Sequence, residues 1–444
     1  MTTDPPPPTN PWGRLKEQLR GGGFLRQVAT LISGSVGGQI LLFALSPILA
    51  RLYGPADFAT LALFAASTSI FAVALTGRYD FAIVLERDDT EALNVTIAAL
   101  SLATVGAGGL QLLCFYFGPA VLSTLSIPDD QGWLLYFPLG SGLWATFDIF
   151  SRWHSRDKLF ARMALASVSY SGSMGTTQLS AALALPGLSG IGLVWGQLVG
   201  RIVGIGVLSR AAIASFRSTD TNPSVAGAVR ALRRHWRFPA YSVPSGLLNR
   251  VQGSLPAFMI PVFGADILGF YALCNRVLAA PVSVVGAAVS QVFFPKMAEI
   301  RDQPERTRRL LVRAYLILGL LISPAAVIIF FWGVPIFEFV FGEEWRVAGE
   351  FARLMLPLMV TRFIVAPTGL SMQAFGRQFE VLMWTLLYVV MSVSVLYYGT
   401  NYADAHSTVF LYASGCGAMY TIYLFMSLYY GARPPKDTES SEPR

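Results

Sequence analysis

ARLYGPADFATLALFAASTSIFAVALTGRYDF, residues 50–81, holds a small-residue turn at Gly54-Pro55-Ala56-Asp57, an uncharged run after it, and a polar close at Arg78, Tyr79 and Asp80. The uncharged run is about 20 residues long, the length a helix needs to cross a hydrocarbon layer of about 30 Å. A faint copy of this stretch lies 210 positions on: Gly54 matches Gly264, Ala59 matches Gly269, Ala62 matches Ala272 and Leu63 matches Leu273. In both places a small-residue turn joins two long apolar segments. The chain is therefore read as two similar halves.

Composition agrees. Hydrophobic residues make up 54% of the 444 and charged residues only 13%, with a mean hydropathy of +0.53. A soluble domain carries roughly a quarter charged residues. The alternation with a period of two that marks a transmembrane β-barrel is not seen. The fold class expected is an all-α polytopic membrane protein.

Splitting the uncharged stretches at turn residues predicts twelve helices, six in each half. The first six are 27–50, 58–79, 91–117, 131–152, 160–185 and 189–210. The other six are 238–261, 267–293, 311–332, 351–374, 379–399 and 406–430. Residues 163–200 carry no charge and are too long for one span, which places a turn at Pro186-Gly187. Expected organisation is a disordered tail over 1–24 without a cleavable signal, a first six-helix lobe over 25–210, a basic linker over 211–237, a second lobe over 238–431 and a tail over 432–444.

Orientation follows from Lys and Arg. With the N-terminus cytoplasmic, 26 of the 33 fall on that side and only Arg51 and Arg346 on the other. Basic residues mark cytoplasmic loops, so both termini are expected inside. The same bias accounts for the net charge of +7 without nucleic acid as a partner. The basic end of the linker, Arg230 to Arg237, suits either a plain inside loop or contact with anionic headgroups.

Two halves joined by a cytoplasmic linker suit a transporter whose substrate path lies between repeats. Prolines inside predicted helices (Pro47, Pro138, Pro244, Pro256, Pro281, Pro324, Pro357 and Pro367) would bend them. Gly192, Gly196, Gly200 and Gly204 fall on one side of the sixth helix, either for close packing or as a sliding surface.

Charges within spans are costly unless they meet a cavity or a partner. Arg250, Arg276 and Arg362 lie in the second half with no acid at comparable depth, and Arg201 lies in the sixth helix. A water-filled cationic cavity for a phosphate-bearing ligand would use them, since the guanidinium fork binds phosphate oxygens in pairs. Bonding to helix carbonyls or snorkelling to an interface is the other reading. Asp148 and Arg152, four apart on one helix, can pair, or Asp148 can bind a coupling cation or proton. Arg78 and Asp80 are expected at headgroup level, and Glu350 and Arg353 at the outer interface.

Catalytic arrangements are thin. His154, His235 and His406 are scattered, and Cys114, Cys274 and Cys416 fall singly within predicted helices. Neither a metal-ligand spacing nor a nucleotide or hydrolase motif is found. No loop has room for a soluble catalytic domain, and no cofactor is expected.

Four segments in order, ARLYGPADF (50–58), GRYDFAIVLERDDTEALNV (77–95), FFPKMAEIRDQPERTRRLL (293–311) and IFEFVFGEEWRVAGEFARLMLP (336–357), resemble the polysaccharide transporter (Wzx-type flippase) family. That family sits in the MOP superfamily with MATE drug exporters and the lipid II flippase. The resemblance covers about residues 25–430, and the Phe341-Gly342-Glu343-Glu344-Trp345 turn is its most specific piece. It implies a V-shaped pair of lobes around a cavity. It also implies movement of an undecaprenyl-diphosphate-linked oligosaccharide from the cytoplasmic to the periplasmic leaflet by alternating access, with a Na+ or H+ gradient as drive. The bilayer and a polysaccharide polymerase with its chain-length machinery are the implied partners. A MATE-like exporter would share the fold but want carboxylates in the cavity. A glycan polymerase or ligase would want a large external loop.

Overall fold

The computed structural model describes residues 23–125, 132–185, 187, 189–218, 223–300, 303–369, 371–375 and 377–432. The expected tails up to residue 22 and beyond 432, the turn residue Pro186 and linker positions 219–222 lie outside the described residues.

The described chain is almost entirely helical. In order run α1 (Gly23–Leu52), α2 (Pro55–Thr76), α3 (Tyr79–Leu85), α4 (Asp89–Leu125), α5 (Phe137–Arg156), α6 (Phe160–Ala184), α7 (Ser189–Ser218) and α8 (Val225–Arg234). Then come α9 (Val243–Met259), α10 (Ala265–Ile300), α11 (Pro304–Phe341), α12 (Arg346–Leu354), α13 (Leu356–Val365), α14 (Ser371–Ala374), α15 (Gln378–Tyr402) and α16 (Ala405–Gly431). Eleven of the twelve predicted segments fall mainly on one helix each, and the tenth, 351–374, is broken over α12, α13 and α14.

Local chemistry sets the boundaries. At the start of α2, Pro55 takes the first turn, where its missing N–H costs nothing, and Asp57 accepts the Gly54 N–H at 2.9 Å. The helix stops because Gly77 turns left-handed, at φ 53°, and Arg78 follows at φ 59°. The charged close therefore folds as a separate short helix, α3. Pro138, Pro244 and Pro357 likewise sit in first turns of α5, α9 and α13, so they start helices and do not kink them. Pro47, Pro256 and Pro324 do lie inside helices.

Among the described residues seven helices are long and apolar enough to cross a membrane, and the pair around Met355, bent by 56°, makes an eighth. The remaining predicted spans pass less easily for a physical reason. Helices α5 and α9 carry Asp148, Arg152, Asn249 and Arg250, and α6 is rich in Ser, Thr and Gly. Polar residues of this kind face protein or water, not lipid. Within the basic linker expected at 211–237, the chain forms α8. Ser224 caps it, accepting the Gly227 N–H at 2.9 Å, and the Ser224 N–H donates to Asn94 on α4 at 3.1 Å.

Among the described residues the halves share an apolar core at one end of the bundle. There Leu49, Tyr53 and Phe58 pack with Leu268, Tyr271 and Trp345. The Trp345 indole is 1% exposed, donates to the Ala50 carbonyl at 2.8 Å and stacks edge-on against Phe58 and Phe270. Toward the other end the cores separate. One gathers Tyr79, Ile83, Ala145, Ile149 and Leu208. The other gathers Phe293, Met297, Leu311, Tyr315 and Phe375. The bundle is thus joined at the Trp345 end and parted below it, with a cavity in the gap.

The four glycines of α7 serve close packing. A methyl at Gly196 would strike the Gln178 side chain, and one at Gly200 would meet the Tyr170 carbonyl at 2.9 Å, so α7 lies directly on α6.

Candidate functional site

The cavity between the halves measures about 630 Å³. One wall is α2, from Phe58 to Ser69, with Trp144 of α5. Facing it are Asn249 and Arg250 of α9, Asn275 and Arg276 of α10, and Arg362 of α13. Arg250, Arg276 and Arg362, singled out in the sequence, therefore reach one space from three helices. Gln197 and Ser254 add neutral polar groups, and no carboxylate is among the lining residues. A space of about 470 Å³ adjoins it, sharing Leu42, Arg276 and Arg362. This second space lies between α1 and α10, where Ser283 donates to Gln39 at 2.5 Å.

The arginines are held differently. Arg276 leans on the Leu42 carbonyl of α1 at 3.5 Å. Arg362 lies within electrostatic reach of Tyr271, Tyr388, Tyr420 and Cys416, a neutral hydroxyl and thiol surround. Among the described residues no ion pair is formed by Arg250, Arg276 or Arg362. Positive charge at the cavity wall is thus uncompensated at contact distance, a condition suited to an anionic guest.

Arg201 stands apart from them. Its guanidinium lies over Trp144 at 4.1 Å, Tyr170 at 4.6 Å and Phe147 at 5.1 Å, and it is not among the cavity-lining residues. The aromatic faces satisfy the cation where a cavity had been expected to. Trp144 joins the two arrangements, since Arg250 lies over the same indole at 5.7 Å.

The expected Asp148–Arg152 pair is not formed. Arg152 instead bonds Asp80, its Nε at 3.4 Å from the carboxylate. The break at Gly77-Arg78 explains the exchange, because α3 carries Asp80 into the protein, where it is 3% exposed and needs a cation. Asp80 therefore faces protein and not headgroups. Asp148 lies among Arg201, Asp80, Arg250 and Arg152 at longer range.

Arg78, expected with Asp80 at headgroup level, joins the same group. The Phe81 ring lies between two guanidiniums, Arg152 at 4.3 Å and Arg78 at 5.1 Å. The Arg78 guanidinium also abuts Gly246 of α9, which bridges the halves at the parted end. The signal was present: two opposite charges directly after a glycine that ends a span. Farther along, Glu86 meets His235 at 2.7 Å and Arg234 at 3.6 Å, tying α8 to the first half. Among the described residues no cluster of His, Cys, Asp and Glu could hold a metal ion.

Known proteins place this arrangement. The structure superposes on the lipid II flippase MurJ in an inward closed conformation with a TM-score of 0.71, at 12% identity over 90% of this chain and 87% of that one. An inward-facing multidrug resistance MATE transporter of the MOP superfamily gives 0.70 at 14% identity over 90% and 96%. The fold is therefore the one these multi-span membrane proteins share. In sequence the chain is 26% identical over 157 residues to the teichuronic acid biosynthesis protein TuaB of Bacillus subtilis, 35% of this chain and 32% of that one. The chain spans about a third of the length of the curated relatives it matches. The model of the polysaccharide biosynthesis protein family matches residues 48–350, well over half of the sequence, and the chain belongs to that family.

Proposed function

We propose that the chain is a flippase that carries a lipid-linked oligosaccharide with a diphosphate at its linkage, of the undecaprenyl-diphosphate type, between the leaflets of a bacterial inner membrane. The observation that carries this reading is the convergence of Arg250, Arg276 and Arg362 on one cavity whose lining has no carboxylate. Family membership and the names of the relatives, biosynthesis proteins of surface polysaccharides, support it.

A diphosphate cannot enter hydrocarbon without losing hydration worth many kcal/mol. Arginines already held in a protein cavity replace that water with charge-assisted hydrogen bonds. Asn249, Asn275 and Gln197 offer neutral donors and acceptors to sugar hydroxyls. The space between α1 and α10, lined by Phe43, Val282 and Gly286, leaves an apolar side through which a polyprenyl chain can remain in lipid. No bond need be made or broken.

On this reading the Trp345 end is periplasmic, both termini are cytoplasmic, and the parted end admits the headgroup from inside. Drawing the two parted cores together about the existing Arg78–Gly246 contact while the Trp345 core opens would give the outward state. Asp148, half-buried among arginines, is the residue we assign to gradient coupling, by H+ or Na+. A polymerase working beside the flippase would take the delivered unit.

The test is translocation of a fluorescent polyprenyl-diphosphate oligosaccharide in proteoliposomes, with wild type beside Arg250→Gln, Arg276→Gln and Arg362→Gln. Transport by wild type that drops in each variant supports the reading. A wild type inactive under imposed H+ and Na+ gradients with several glycans, yet active on organic cations, would establish a MATE-like exporter instead.

A further inference from the structure

On the outer face of the second half, away from the central cavity, a groove of about 710 Å³ runs between α11, α13 and α16. Its wall is mostly apolar, with Phe330, Val360 and Phe410 along it, and the first and last of these rings are about half exposed. The backbone creates the groove. Helices α12 and α13 meet at a 56° bend, and Gly417 lets α16 approach the Pro357 carbonyl so closely that a methyl there would lie 2.8 Å from it.

One cation stands in this groove, Arg353. Its guanidinium lies over Phe330 at 5.8 Å, and its stem passes Gly333, where an added methyl would come within 3.3 Å of Cγ. The carboxylate nearest in sequence, Glu350, is already engaged by His406 at 2.8 Å and Arg346 at 3.9 Å. Arg353 itself forms no ion pair among the described residues. Gly333 follows Trp332, an exposed indole of the kind that marks the bilayer interface, so the cation sits at headgroup depth.

We propose that this groove binds an anionic phospholipid, its phosphate on Arg353 and one acyl chain along Phe330, Val360 and Phe410. An apolar trough in the lipid-facing surface is filled by lipid in any case, because the span Pro304–Phe341 buries little of its surface in protein. The unpaired guanidinium selects among lipids: a zwitterionic headgroup carries its own cation and offers no net charge. The occupant also bears on α13, whose opposite side delivers Arg362 to the central cavity. The site does not depend on what that cavity carries.

Native mass spectrometry of the purified full chain, titrated with phosphatidylglycerol or with phosphatidylcholine of the same acyl chains, tests this. The first phosphatidylglycerol should bind about fivefold more tightly than phosphatidylcholine, the worth of one basic residue at a lipid surface. Arg353→Gln should remove that preference, Arg353→Lys should keep it, and Arg346→Gln, outside the groove, should not change it. Val360→Trp, which fills the groove, should weaken both lipids. Equal binding of the two lipids by wild type, or a preference that survives Arg353→Gln, overturns the proposal. Thermal unfolding of each variant confirms that it is folded.

Discussion

Gly269 on α10 lies against the carbonyl of Pro55 at the start of α2, with no room for a methyl between them. These two helices are the ones the internal echo matches, Ala59 with Gly269, so the matched helices of the two halves lie against each other. Beside them Arg51 donates to the Phe339 carbonyl at 2.8 Å. The contact is a backbone-on-backbone clasp that holds the joined end of the bundle shut.

A side chain at Gly269 must part α2 from α10. Gly269→Leu is expected to bias the bundle toward opening at the Trp345 end. Spin labels placed across that end should show a longer, broader distance distribution than in wild type, and transport should fall. An unchanged distribution would show that the clasp does not set the conformation.

Asp80 depends on Arg152 more than Arg152 depends on it. The Asp80 side chain is 5% exposed and that of Arg152 is 40% exposed. Arg152→Ala leaves a carboxylate buried beside Arg78 alone and should cost about 2 kcal/mol. Asp80→Asn with Arg152→Gln should recover most of that loss. Thermal unfolding in detergent reads both, and a double variant no better than Arg152→Ala would contradict the pairing.

The start of α16 should be acid-sensitive. Asp404 caps it, its carboxylate accepting the N–H of His406 at 3.0 Å and of Ser407 at 3.4 Å. The bonds to Ser407 lead in holding this carboxylate below its usual range. A group depressed in the folded state stabilises above its unfolded pKa, and that contribution fades as pH falls through the folded value. The protection of amides 405–409, measured as exchange relative to the intrinsic rate at each pH, should therefore fall below the ordinary Asp range. Asp404→Ala should show the low protection already at neutral pH, and protection that does not change with pH in wild type would refute the cap.

Trp345 carries much of the shared core. Trp345→Ala removes the indole, its bond to Ala50 and two edge-on ring contacts. Truncating a buried aromatic costs about 3–5 kcal/mol. The expected outcome is a clear drop in unfolding temperature, checked by fluorescence-detected thermal unfolding.

Much of this architecture was legible in the sequence. Uncharged runs of membrane length and turn residues located the helices, and the Gly54/Gly264 echo divided the chain into two similar halves, though it did not show that the matched helices would lie against each other. Arg250, Arg276 and Arg362 could be found because unpaired charges in apolar segments are rare. What failed did so for local reasons. A spacing of four put Arg152 beside Asp148, but the left-handed pair Gly77-Arg78 turned Asp80 inward and supplied a nearer acid. Arg201 looked equivalent to the cavity arginines, and only the packing of α5, α6 and α7 revealed the three aromatic rings around it. The proline-rich helices misled in part, since three of those prolines begin helices.

The most direct measurement compares two lipids that bear the same chain and glycan, one joined through a diphosphate and one through a neutral linkage. Their translocation is followed in proteoliposomes with wild type and with Arg250, Arg276 and Arg362 all changed to Gln. The account predicts that wild type moves the diphosphate lipid, that the neutral one crosses at least about tenfold more slowly, and that the triple variant moves neither. Equal rates for the two lipids in wild type, or a triple variant as fast as wild type, would contradict it.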